Sequence, residues 1–291
     1  MLLLVGMVFS GLASIPRAHA TSPFNFSTGS PDGLIGMASR PSGPGVIKIE
    51  AADDFIATSD TTVNHATFIG LLPSGASLLD VTQLNIEMYR VFPLDSVNPP
   101  SGNVPTRVNS PSDVAFDSRS SAVVGDLTFT ATTLATSFSV ANTVLNGINK
   151  IPNQFTGGEG SATGEEVSFD VTLTTPFILP HDHYFFVPQV ELVSGNFLWL
   201  SAPKPIVGGT GPFTPDLEAW IRNSNLAPDW LRVGTDITHQ GPFNGAFSLS
   251  GTFSSATSVP EFPLPAILAG AIALAVVAGL RRFRVMPSLQ G

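Results

Sequence analysis

No cysteine occurs anywhere in the 291 residues, so the fold uses neither disulfides nor thiolate metal sites. Charge is scarce as well: 12% of the residues are Asp, Glu, Lys or Arg, about half the usual share. What charge there is runs negative. Between residues 21 and 260, nine basic residues stand against 21 acidic ones, a net of −12. Such a surface repels phosphate backbones and excludes nucleic acid as a partner. Tyr and Trp are few, 2 and 3 beside 21 Phe. That ratio suits core filling better than a glycan platform, which uses rings whose polar tip stays wet. There is no Gly-x-Ser-x-Gly elbow and no glycine-rich phosphate loop, so the hydrolase and nucleotide-binding chemistries built on them have no carrier here.

What is abundant is punctuation: 27 Gly and 25 Pro in a chain that is 43% apolar. The length allows one large or two ordinary domains with a real core, and the composition reads as many strands joined by many turns.

The dominant hydrophobic period is two. In "EVSFDVTLT", Val167, Phe169, Val171 and Leu173 alternate with Ser168, Asp170, Thr172 and Thr174, as a strand with one wet face requires. "GAFSLSGTF" sets Phe247, Leu249 and Phe253 against Ser248, Ser250 and Thr252, and "TQLNIEMYRVF" sets Leu84, Ile86 and Met88 against Asn85, Glu87 and Tyr89. "DHYFFVPQVELVSGNFLWLSA" reads as a hairpin turning at Ser194-Gly195-Asn196, with Pro188 marking an edge strand or a bulge. Further strands are expected at "GVIKIEAA", "TTVNHATFIGL" and "DLTFTATT". Eight to twelve short strands predict an antiparallel β-sandwich or jelly roll.

One segment departs from that period. "TPDLEAWIRNSN" offers Thr214 as an N-cap, Pro215 at the first helical position, Asp216 and Glu218 in the first turn, and Leu217, Trp220 and Ile221 on one face, which predicts one short helix. Two long loops are expected at Phe92–Asp113 and Asn149–Glu166, either binding surfaces or decoration.

Few residues offer chemistry. His181 and His183, in "HDH", would share a strand face and are the one histidine pair placed for a metal, but no further His or Glu stands at a metal-site spacing, so the pair reads as a solvated turn after Pro180 and no metal site is expected. Asp53-Asp54 presents hard oxygens to a calcium ion but lacks the repeated acidic loop such sites use. Trp199, Trp220 and Trp230 are set in apolar stretches, which favours packing over a sugar platform. No cofactor is expected. "ADDFIATSDTTVNHATFIG" looks like the opening strands of secreted β-sandwich domains of bacterial surface proteins.

The two ends read as targeting segments. Leu2–Ile15 is apolar and is followed by Ala18-His19-Ala20, a small-x-small pattern that suits cleavage after Ala20, which gives a signal peptide at 1–20 although the basic n-region is missing. Leu264–Leu280 is 17 residues without charge, about 25 Å of helix, and "RRFR" follows at once. The positive-inside rule then keeps residues 285–291 in the cytoplasm and puts 21–250 outside, with 251–258 as a stalk.

In "VPEFPLPAILAGAIALAVVAGLRRFR", residues 259–284, the order of elements is a Pro-Glu-Phe-Pro turn, an apolar helix and an arginine cluster. This resembles the tripartite sorting tail of PEP-CTERM proteins and of their archaeal PEF-CTERM counterparts. The residues that carry the resemblance are Val259, Pro260, Glu261, Phe262 and Pro263, the helix to Leu280, and Arg281, Arg282 and Arg284. Phe262 stands where the commoner bacterial motif has proline, which leaves the choice between the two relatives open. The resemblance implies processing by a membrane transpeptidase of the exosortase or archaeosortase kind, and covers under a tenth of the chain. The resulting expectation is an exported, non-enzymatic surface or extracellular-matrix protein, tethered to the membrane or released after processing. The partners expected are the membrane, the transpeptidase and extracellular polysaccharide, and a surface-displayed glycan-binding module or carbohydrate-active enzyme is the alternative.

Overall fold

Alternating side chains give a strand two faces, and each face must be buried or wetted. In this protein one of the two sheets is buried on both. The structure, a computed structural model, describes residues 22–97, 102, 104–145 and 156–253. Its strands are β1 (Pro23–Ser27), β2 (Ile35–Ala38), β3 (Ile49–Ala57), β4 (Thr61–Pro73), β5 (Val81–Arg90), β6 (Asp117–Ser120), β7 (Thr128–Val140) and β8 (Asn142–Val144). They continue with β9 (Ala162–Leu179), β10 (Asp182–Leu192), β11 (Leu198–Ala202), β12 (Trp220–Asn223), β13 (Leu231–Arg232), β14 (Asn244–Gly245) and β15 (Phe247–Phe253). Helix is limited, among the described residues, to a 3-10 turn at Leu78–Asp80 and a π turn at Val233–Thr238.

The fold is mainly β and sandwich-like. One sheet runs β13-β12-β3-β10-β5-β6; the other runs β1-β15-β4-β11-β2-β8, with β9 along the second side of β4 and β7 beyond it. Every named pair is antiparallel except β2 with β8. Between the sheets lies the main core, where Phe186 of β10 stacks on Phe247 of β15 with centroids 4.9 Å apart and Phe68 stacks on Phe169 at 4.9 Å. Each such ring contributes about 1.5–3 kcal/mol by leaving water.

The period-two readings hold on β9, β15 and β5: Val167, Phe169, Val171, Leu173, Phe247, Leu249, Leu84, Ile86 and Met88 are all buried. The second face of β5 is not wet, however. Tyr89 is buried with Ala52, Phe185, Val187, Trp220 and Trp230 in a separate cluster on the outer side of the six-stranded sheet. The proline-rich segment after β5 covers it: Trp230 Nε1 donates to Ser112 O at 3.0 Å, and Ala115 packs against the same cluster.

Three expectations need correction. The helix over residues 214–225 does not form. Trp220–Asn223 is β12, paired with β3 and β13, and its neighbours Trp220 and Ile221 enter the outer cluster and the main core respectively. Burial on two opposite faces requires extended backbone, and that outweighs the capping signals. The hairpin over 182–202 is also absent. β5 pairs along one edge of β10 and β3 along the first part of the other, so the turn at Ser194–Asn196 delivers β11 to the opposite sheet. Gly195 does adopt the left-handed backbone the turn needs, at φ 83°. Finally, β15 continues to Phe253, which puts residues 251–253 in the sheet instead of a stalk.

Pro188 lies inside β10, where pairing with β3 has stopped at Phe186. Ser39 takes over that side: its Oγ donates to Pro188 O at 2.5 Å, its carbonyl accepts from Val190 N, and its Oγ accepts from Ala51 N. A proline is tolerated here because no strand claims its missing N–H.

Among the described residues no helix is long and apolar enough to cross a membrane; the apolar run 264–280 lies outside them, as do residues 1–21.

Candidate functional site

The side chains with polar chemistry gather around the outer face of the six-stranded sheet. Alternation along β3 sends Glu50, Ala52 and Asp54 to that face. Arg222 of β12 donates from Nε to Glu50 Oε2 at 2.6 Å and from Nη2 to Glu50 Oε1 at 3.1 Å, while Tyr89 Oη donates to Glu50 Oε1 at 2.6 Å. Lys48 bridges Glu50 and Glu87 at 2.9 and 2.7 Å. Burial alone pushes the Glu50 carboxyl up, but the charge and hydrogen bonds of Arg222, with Lys48, outweigh it and hold it at about 2. Glu87 is raised by burial and by the negative charge of Glu50. Arg222 also stacks 4.2 Å from the Trp230 ring centroid. The centre of this network, Glu50, Arg222 and Tyr89, is buried, and the network works as a structural joint.

An open cleft adjoins it. Lys204, Asp216, Glu218, Trp220 and Arg232 line a cavity of about 280 Å³. Lys204 Nζ donates to Leu217 O at 2.7 Å and to Asp216 O, and lies 3.4 Å from Asp216 Oδ2. Arg232 binds Asp236 through Nε and Nη2 at 3.0 and 2.6 Å, stands 3.8 Å from Glu218 Oε1, and lies 6.0 Å above the Trp220 ring. Thr235 Oγ1 donates to Glu218 Oε2 at 2.6 Å. Burial raises both the Glu218 and the Asp216 carboxyls. The cleft therefore combines two cations with two acids biased towards the protonated form, a set that can donate to and accept from a polyhydroxylated ligand.

The residues singled out in the sequence fall elsewhere. His181 is exposed, and its backbone N donates to Asp60 Oδ1 at 3.0 Å; His183 Nε2 lies 2.6 Å from Asp54 Oδ2. Among the described residues no group of three or more His, Cys, Asp or Glu side chains is arranged to hold a metal ion. Asp53 and Asp54 do not converge on one ion, because adjacent residues of a strand face opposite ways. Asp54 Oδ1 accepts from Leu217 N at 2.9 Å on the outer face, whereas Asp53 Oδ2 accepts from Gly245 N at 2.9 Å between the sheets. Burial, with the charge of Asp54, raises the Asp53 carboxyl well above the ordinary carboxylate range. Trp199, Trp220 and Trp230 are each at most 1% exposed, so they form no platform. Ala18, Ala20, Val259, Pro260, Glu261, Phe262, Pro263, Arg281, Arg282 and Arg284 lie outside the described residues.

Sequence reasoning missed the cleft because its charges come from separate segments. Asp216 and Glu218 read locally as the first turn of a helix, and nothing local links Lys204 to Arg232. It also missed Arg107, which anchors the proline-rich segment through Asp229 at 2.9 Å and Asp113 at 2.7 Å while stacking on Phe92. An arginine as the one cation of a proline-rich loop, with Asp95 and Asp113 at its two ends, was the available signal. Compared with family models, curated proteins and solved structures, the chain matches none.

Proposed function

We propose that this chain is an exported surface or extracellular-matrix protein of structural or interaction type, non-enzymatic, sorted through residues 259–284. The observation that carries the reading is the ordered succession of Pro260-Glu261-Phe262-Pro263, the uncharged run 264–280 and Arg281, Arg282 and Arg284. A signal peptide ending at Ala20 fits the same export route. In this reading the β-sandwich domain is displayed outside the membrane, and a membrane transpeptidase cuts or transfers the tail. The non-catalytic part is supported by the interior location of all three Trp, which takes away the usual aromatic platform for a glycan substrate.

The test is the intact mass and fractionation of the mature protein from its native host, with and without the cognate transpeptidase. Loss of the residues beyond the Pro-Glu-Phe turn only when that enzyme is present is the expected result. Retention of residues 264–291 in the membrane fraction of both strains would reduce the tail to a simple anchor.

One observation favours a second reading, a glycan-binding module or carbohydrate-active enzyme: Asp216 and Glu218, both with raised carboxyls, share one open cleft. Binding or release of sugar from an acidic or neutral polysaccharide, abolished by Glu218→Gln, would favour it over the first.

A further inference from the structure

Sheet edges pair with other chains unless something prevents it, and proteins prevent it with short strands, charges, proline or a covering segment. Among the described residues most edges are managed in that way. β13 has two residues and β8 three, β6 carries Asp117 and Arg119, and β1 has five residues beginning at Pro23. β7 is different. β7 has 13 residues with no proline, no glycine and no charge, and among the described residues it pairs only with β9. The uncharged stretch reaches from Leu127 to Asn149, in a chain whose charge is negative overall.

The far end of β7 is closed off. Register shifts after Thr133 and Ala135 bend it, and the chain continues into β8, which pairs with β2. From Thr128 to Thr133 the register against Thr172–Val167 is unbroken. Thr128, Thr130 and Thr132 are exposed, and Phe129, Ala131 and Thr133 are half-buried. "TFTATT" is thus a six-residue segment rich in β-branched side chains, regular and, among the described residues, unpaired on its outer edge, the composition that pairs with copies of itself.

We propose that this edge is a self-association surface: Thr128–Thr133 pairs antiparallel with the same segment of a second copy, joining two sheets across a two-fold axis. A second copy brings an edge of the same length and composition, and because β7 is uncharged the net negative charge of the two copies opposes this contact less than contact through their acidic side chains. Of the nearest acids, Asp170 is engaged with His65 at 2.9 Å, Glu165 with Thr133 and Asp126 with Ser120 N at 3.2 Å, while Glu166 stands across from Ala135, beyond Thr128–Thr133. Across the pair, the two Asp170 side chains would stand three strand spacings apart, about 14 Å, beyond the ~8 Å screening length at physiological salt. With the axis between Thr130 and Ala131 or on either of them, Asp126 meets Leu134, Ala135 or Thr136 of the other copy, none of them charged. One such edge per copy closes as a dimer and does not propagate. The inference is independent of how the tail is processed.

The absence of native cysteine makes the test direct. Single cysteines at each position from Thr128 to Thr133 in the full chain, held in mild detergent and oxidised, should give a disulfide dimer that peaks at Thr130→Cys or Ala131→Cys and falls off on both sides. The peak should exceed a Leu79→Cys control, 93% exposed and outside β7, by about tenfold, as an edge held in register raises the local thiol concentration. That control also accounts for any association through residues 264–280. Adding Thr132→Lys to the peak variant should return the yield to the control level, with Trp fluorescence verifying the fold in each case. Equal yields along β7 and at Leu79, or a peak that survives Thr132→Lys, would overturn the proposal.

Discussion

Arg222 grips Glu50 with two hydrogen bonds, at 2.6 and 3.1 Å, inside a cluster where both side chains are nearly inaccessible to water. Removing one partner strands the other. Arg222→Met is expected to cost about 3–5 kcal/mol, while Arg222→Met with Glu50→Gln should cost less than the sum of the two single changes. Denaturant unfolding of the four proteins gives the coupling directly.

The same pair sets a pH limit. Glu50 titrates at about 2 in the fold and near 4.3 when unfolded. Its stabilisation is therefore fully present above about 4.3 and is lost as pH falls towards about 2, on the order of 3 kcal/mol in all. A stability profile from pH 7 to pH 2 should show this loss, and it should shrink in Glu50→Gln.

Asp53 has the opposite sign. Its carboxyl is raised by burial and by Asp54, and one of its oxygens lacks a hydrogen bond, so the native state holds a proton that the unfolded chain releases as pH rises. Asp53→Asn keeps an acceptor for Gly245 N and removes that penalty. The variant should be more stable than the parent at pH 7, with the gain fading as pH falls through the unfolded carboxylate range near 3.9. Thermal unfolding at pH 7 and at pH 3.5 separates the two cases.

Gly245 has no room for a side chain, because a β-carbon there would run into the indole of Trp199. Trp199 is itself fixed by its Nε1 donating to Ala246 O at 3.0 Å. Gly245→Ala should cost about 1–3 kcal/mol by overpacking and shift the emission of the buried indole, both readable in one fluorescence-monitored titration.

Which residues lie inside β9, β15 and β5 was legible in the sequence, since a period of two needs only local information. Val167, Phe169, Phe247 and Leu249 announce their buried face by spacing alone. The exclusion of disulfides comes from composition in the same way, and the proposal of a sorting tail from the order of residues in 259–284. What lies on the other side of a strand was not legible. Tyr89 and Trp220 look solvated or helical in isolation, and only the return of the proline-rich segment, pinned by Arg107 to Asp229, turns that surface into a second buried layer. Long-range pairing also decided that Trp220–Asn223 is extended, because burial on two opposed faces outweighs a good N-cap. The cleft of Lys204, Asp216, Glu218 and Arg232 and the open edge of β7 belong to that same level. A side chain's spacing records its own strand, whereas which strand, loop or open water stands beside it is set by contacts between residues far apart in the chain.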